Sequence, residues 1–414
     1  MRRQASRLVA LAVLVLAAPA RAGDPEVKKS ATGLGYAIRV PDGWQRERGG
    51  LMVVAFHGRG DTPARFMKCV EAIAGLESAV LVVPQAPKNG AWEDSRDTKI
   101  AGELVAELAR EHQPARTVTL GFSLGAYFSY LMAITHPELV QAAVAHSGGI
   151  DPFPVPQPAG AALKRQAFFV IHGAADSVVP VALGRKAVRD LRKADVSLVR
   201  YVEVPALDHA IDWTVLPRAF AWIEAVLGPP VRPLSDEEGR DRVAALERAL
   251  AEKRATPGDV AALAGAPRSL GARIAALLKG PAAGTDELAL AAIEAAGRLG
   301  EAGLPVLEGV SPANEPVAIA LARAIVRAGP GAQKRLLELL RWKSEKTAAA
   351  AASALGELGT EPAIETLLSG LRSAEASPDG RLDAIRAAVL AATGRRLHTA
   401  KELAGWLAES RSAR

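Results

Sequence analysis

One cysteine, Cys69, stands in 414 residues, so no disulfide forms within the chain and its stability must come from packing. Aromatic residues are scarce at 4%. They thin out further after about residue 230, which leaves the C-terminal half to be built from alanine and leucine. No apolar run is long enough to cross a bilayer: Leu8–Ala18 has eleven residues, against the roughly 20 that a spanning helix needs. That run follows a start carrying Arg2, Arg3 and Arg7 and is closed by Pro19-Ala20-Arg21-Ala22. A charged start, an apolar centre and a small-x-small exit make residues 1–22 a predicted secretory signal peptide, cut after Ala22. With it go four arginines, and the formal charge of +6 falls to about +2. The mature chain therefore has no large excess of either charge, which argues against nucleic acid as a partner, and no membrane span is expected after cleavage. The predicted location is outside the cytoplasm, periplasmic or secreted, as is usual for a chain with such a leader. Hydrophobic residues at 49% and charged residues at 23% describe a globular protein with ample core material.

The chain has two rhythms. Between residues 23 and 228, short β-rich runs alternate with helical stretches, the order of a mostly parallel sheet covered on both faces. Strands are predicted at Tyr36–Val40, Leu51–Phe56, Val80–Val83, Val118–Leu120, Ala142–Ala145, Phe168–Ile171 and Val199–Val204. Most are apolar on consecutive residues, as strands buried on both sides must be. Helices fit at Ile100–His112, Leu124–His136, Leu183–Ala194 and Leu216–Leu227. Residues 229–235 hold three prolines, Pro229, Pro230 and Pro233, and read as a linker. From 236 to 414 strand signals nearly vanish. Segments beginning Leu299-Gly300, Ala328-Gly329 and Leu358-Gly359 echo one another, with a glycine turn between an alanine-rich and a leucine-rich helix. Helix pairs of this kind bury their faces only by stacking into a solenoid; an alanine-rich bundle without true repetition would give a related signal.

Chemistry concentrates in the first half. Gly121-Phe122-Ser123-Leu124-Gly125 fits G-x-S-x-G between a predicted strand and helix, the sharp turn that exposes a serine hydroxyl. The backbone N–H of Leu124, at a helix start, can face a developing oxyanion. His57-Gly58-Arg59-Gly60-Asp61 follows the strand Leu51–Phe56 and can supply a second donor, the N–H of Arg59. A serine needs a base, and the base needs a carboxylate to fix its tautomer. His209, after the last strand, and Asp176, after the strand Phe168–Ile171, provide them in the order serine, acid, histidine. Asp151 is the competing acid. A carboxylate before a helix and after the penultimate strand suits the role better, which favours Asp176. Trp92, Phe122, Phe153 and Trp213 are candidate walls of a substrate site, although each would serve equally as core.

These residues give residues 33–228 a resemblance to α/β-hydrolases of the phospholipase/carboxylesterase and polymer-esterase type. It is carried by His57-Gly58-x-Gly60-Asp61, Gly121-Phe122-Ser123-x-Gly125, His146-Ser147-Gly148-Gly149, and His172-Gly173 leading to Asp176 and Val179-Pro180. The resemblance implies hydrolysis of carboxylic esters or thioesters without cofactor or metal, on a small or polymer-linked substrate. Two positions depart from it: Asp208 stands before His209 where glycine is common, and Arg59 is bulky and charged. The helical half is similar to HEAT-like repeat proteins and could bind a protein partner. Two other functions use the same residues differently: an exported serine peptidase, or a repeat-based binding module with the hydrolase fold as scaffold.

Overall fold

In the computed structural model, which describes residues 27–412 apart from 88–89, 93–94, 151–154, 156–159, 229, 233, 285, 329–332 and 377–379, the apolar runs pair into one sheet. The signal segment 1–22, Asp151, Phe153, Pro229, Pro233 and most of the glycine turn at 329–332 lie outside the described residues.

The strands are β1 (Val27–Lys29), β2 (Gly35–Arg39), β3 (Leu51–Phe56), β4 (Val80–Pro84), β5 (Arg116–Phe122), β6 (Ala142–His146), β7 (Ala167–Gly173) and β8 (Leu198–Val204). Their order is β1-β2-β4-β3-β5-β6-β7-β8. The pairs β1–β2 and β2–β4 are antiparallel; from β4 to β8 all neighbours run parallel. Between them come α1 (Pro63–Glu71), α2 (Ser95–His112), α3 (Leu124–Thr135), α4 (Ala161–Lys164), α5 (Val181–Lys193) and α6 (Leu216–Leu227). Alternate side chains of a strand point to opposite faces, and β3 shows the division. Val53 and Ala55 pack with Phe66 and Met67 of α1 and with α6. Met52, Val54 and Phe56 pack with α2 and α3 on the other face. This is an α/β-hydrolase-like architecture, and β1 is an edge strand that the sequence pattern did not predict. Val27, Lys28 and Lys29 of β1 are all exposed, so no buried face marks the strand in the sequence.

The second half is helical: α7 (Asp236–Ala251), α8 (Pro257–Ala261), α9 (Gly271–Ala282), α10 (Glu287–Arg298), α11 (Leu304–Gly309), α12 (Glu315–Ala328), α13 (Gln333–Leu340), α14 (Glu345–Leu358), α15 (Glu361–Ala376), α16 (Arg381–Thr393) and α17 (Ala400–Ser412). It opens on a capping box in which Ser235 and Glu238 each bond the other's backbone N–H. Helices α10, α12, α14 and α16 stack in one row, and α13, α15 and α17 in another. Gly300 and Gly359, in the first and third sequence echoes, both adopt positive φ, at 64° and 54°. Such left-handed turns suit glycine, which has no Cβ to clash.

The two halves share a core. One cluster of buried apolar side chains runs from β3, β5 and β7 through α6 into α12, α14 and α16. Trp222 of α6 packs edge-on to Phe169, with centroids 5.5 Å apart. Its Nε1–H donates to the Leu358 carbonyl at 2.5 Å. Arg200 of β8 is buried and donates to the carbonyls of Glu357 and Ala391, at the ends of α14 and α16. Burial pushes its pKa down to about 10, which still leaves it charged at neutral pH. A guanidinium at helix C-termini complements the negative end of each dipole.

Candidate active site

Parallel strands deliver their C-terminal ends to one edge of the sheet, and there the loops after β3, β5, β6, β7 and β8 converge. Ser123 forms the tip after β5, with φ 55° and ψ −121°, outside the usual regions for a residue with a side chain. The turn is that sharp because its neighbours are closely apposed. A Cβ at Gly121 would lie 2.1 Å from the Gly125 carbonyl oxygen, and one at Gly125 would lie 1.9 Å from that of Phe56. Only glycine fits either position. The Ser123 N–H is held by the His146 carbonyl at 3.0 Å, so the serine is clamped from β6 as well.

His209 Nε2 is 2.9 Å from Ser123 Oγ. Its Nδ1 lies 2.9 Å from Asp176 Oδ2 and 3.1 Å from Oδ1. The three side chains thus form one hydrogen-bonded line, joining residues 86 and 33 positions apart in the chain. The Asp176 carboxylate is fully buried, and its Oδ1 also accepts the N–H groups of Val178 and Val179 at 3.0 and 2.8 Å. Burial alone would raise its pKa. The bonds from His209, Val179 and Val178 outweigh that and hold the carboxyl below the ordinary carboxylate range. It therefore stays ionised at neutral pH.

The loop after β3 lies against the serine. A Cβ at Gly58 would stand 3.6 Å from Ser123 Cβ. Neither the Arg59 nor the Leu124 N–H has an acceptor among the described residues. The loop is braced by His57, whose Nδ1–H donates to the Gly58 carbonyl at 2.8 Å and whose Nε2 accepts the Ala86 N–H at 3.3 Å.

Two further buried histidines hold the floor. His146 Nε2 accepts the Asp212 N–H at 2.9 Å, and His172 Nε2–H donates to the Val179 carbonyl at 2.8 Å. Burial lowers the pKa of all three bracing histidines, that of His146 to about 3. A neutral buried His146 has a consequence for stability. In the unfolded chain it takes up a proton below about pH 6.5, and in the folded chain only near pH 3. Its contribution is therefore intact above pH 6.5 and is lost progressively as the pH falls towards 3, at about 1.4 kcal/mol per unit, or about 3 kcal/mol by pH 4.5. Thermal melts at pH 7 and 4.5 should show a larger drop for the wild type than for His146→Gln. Equal drops would contradict a neutral His146.

The aromatic candidates separate. Phe122 is half-buried with its ring 5.0 Å from that of His209. Trp213 is exposed on the loop between His209 and α6. Trp92, expected as a possible wall, is instead 4% exposed in the core, stacked on Phe128 at 4.4 Å and edge-on to Phe56 at 5.1 Å. Its large ring surface packs between these side chains and the His57 ring, 5.8 Å away at the base of the loop after β3.

Residues 94–227 match the phospholipase/carboxylesterase family. The match lies within the α/β half and runs from just before α2 to the end of α6. Among solved structures, a thermostable esterase is similar at 22% identity and TM-score 0.37, covering 44% of this chain and 54% of its own. The acyl-protein thioesterase 2 of Zea mays is similar at 20% identity and TM-score 0.39, over 46% of this chain and 97% of its own. A Bacillus cereus carboxylesterase is similar at 16% identity and TM-score 0.39, over 47% and 95%. No curated protein compared with the chain matches it.

Within this half, Asp208 is the residue whose part the sequence did not disclose. It stood out only as a departure from glycine before the histidine. Its contacts reach the loop after β7, 31 positions away, and no local pattern announces them.

Proposed function

We propose that the protein is an exported serine hydrolase that cleaves carboxylic esters or thioesters through an acyl-enzyme on Ser123. The observation that carries this reading is the unbroken line Asp176–His209–Ser123, with the N–H groups of Arg59 and Leu124 without an acceptor among the described residues. His209 takes the hydroxyl proton as Ser123 attacks the carbonyl, and the oxyanion rests on the N–H groups of Leu124 and Arg59. The proton then passes to the leaving alcohol or thiol, water repeats the attack on the acyl-enzyme, and Asp176 holds the imidazole in register throughout. Each oxyanion donor contributes on the order of 10²–10³ in rate. No step calls for a cofactor.

The short connection between β6 and β7, with α4 as its one described helix, leaves no room for a large lid. An open site suits short acyl chains or esters carried on larger molecules. The helical half is read as a HEAT-like array and a candidate surface for a protein partner, and the leader 1–22 as the export signal. A fluorophosphonate probe should label Ser123, as read by peptide mass, and the protein should turn over p-nitrophenyl acetate faster than any peptide amide. Folded protein that resists the probe and hydrolyses no activated ester would sink the proposal.

A further inference from the structure

Asp208 ties the loop that carries the acid to the loop that carries the base. Its Oδ1 accepts three hydrogen bonds, each of 2.8 Å, from the N–H of Ser177, the hydroxyl of Ser177 and the N–H of His209. Ser177 directly follows Asp176, and Asp208 directly precedes His209. The tie therefore runs alongside the Asp176–His209 bond and joins the same two loops one residue further out. A main-chain bond adds to it, from the Ala175 N–H to the Leu207 carbonyl at 3.1 Å. The chain is bent to allow this, for Ala206 takes a positive φ of 57°. Bonds from Ser177 and from the His209 N–H keep the Asp208 carboxyl below its ordinary range, so it is ionised wherever the site would work. A charged acceptor makes stronger bonds than a neutral one. Glycine at this position would leave three donors without this partner.

Resting on the triad reading above, we propose that Asp208 is a positioning residue, fixing the His209 imidazole relative to Asp176 and Ser123 by clamping the loops after β7 and β8 together. It touches neither substrate nor the reacting atoms. Its effect falls on the alignment of proton transfer, where a displacement of about 1 Å costs on the order of 10²-fold. The side chain is exposed, so its removal need not unfold the protein.

The experiment compares wild type, Asp208→Ala, Asp208→Asn and Ser177→Ala on p-nitrophenyl acetate, with melting temperature and fluorophosphonate labelling rate measured on each. Asp208→Ala should lower kcat by about 10- to 100-fold, with KM within about twofold and the labelling rate falling in parallel. Asp208→Asn keeps an acceptor oxygen and should recover much of the loss. Ser177→Ala loses only the hydroxyl bond and should show a smaller fall, and combining it with Asp208→Ala should add little. If wild type is labelled and Asp208→Ala keeps its kcat, or loses activity only as its melting temperature collapses, positioning by Asp208 is overturned. If wild type itself is neither labelled nor active, the triad reading fails, and the clamp's proposed role fails with it.

Discussion

Replacing Ser123 with alanine is expected to lower kcat/KM for an activated ester by about 10⁴- to 10⁶-fold, with the fold intact. Oγ is the atom that would carry the acyl group, and its removal leaves His209 with no proton to take. Binding and the oxyanion donors would persist, so a residual rate above that of water is expected rather than none. Stability should change little, because alanine inherits the same unfavourable φ of 55° and the substitution removes only the hydroxyl bonded to His209. The check is steady-state kinetics with p-nitrophenyl acetate alongside a thermal melt. A variant that keeps a tenth of the wild-type rate would show that the hydrolysis happens elsewhere.

How far the sequence revealed the molecule depended on how local each signal was. Strands such as Leu51–Phe56 were plain because six apolar residues, β-branched at the centre and closed by a glycine-rich turn, are too short for a helix and suit a strand buried on both faces. The exposed Val27–Lys29 had no such mark and came to light only through its pairing with β2. Ser123 was legible because its glycines and its strand-to-helix setting are neighbours in the chain. Asp176 and His209 were legible because each follows a buried strand in an order that fixes which edge of the sheet it reaches. Trp92 could not be placed in that way, since a ring suits a pocket wall and a core equally well until its neighbours are known. Asp208 was the opposite case, a residue conspicuous in sequence whose partner, Ser177, is set only by the meeting of two loops.

A chain ending at residue 228 is expected to be insoluble, or to melt about 10–20 °C below the full chain. The first half alone looks like a complete hydrolase. In the structure, however, α6 lies between the sheet and the helices α12 and α14, and its buried residues belong to a core that extends across both. Returning a large apolar side chain to water costs about 1.5–3 kcal/mol, so losing two or three such contacts removes on the order of 5 kcal/mol. That is a large share of the ~5–15 kcal/mol that typically holds a domain folded. Arg200 and Trp222 would lose their partners in the same cut. Expressing the short and full chains side by side, with melts on whatever is soluble, tests this. A short form that is soluble and melts with the full chain would show that the shared core is dispensable.

At the joint, Arg200 and Trp222 of the α/β half donate to main-chain oxygens of Glu357, Leu358 and Ala391 at the ends of helices, while Arg327 donates back to the Ala225 carbonyl and Arg192 pairs with Glu361. Any sequence that ends a helix there presents the same oxygens. The helices can therefore drift in their outward-facing residues while their attachment to the α/β half persists.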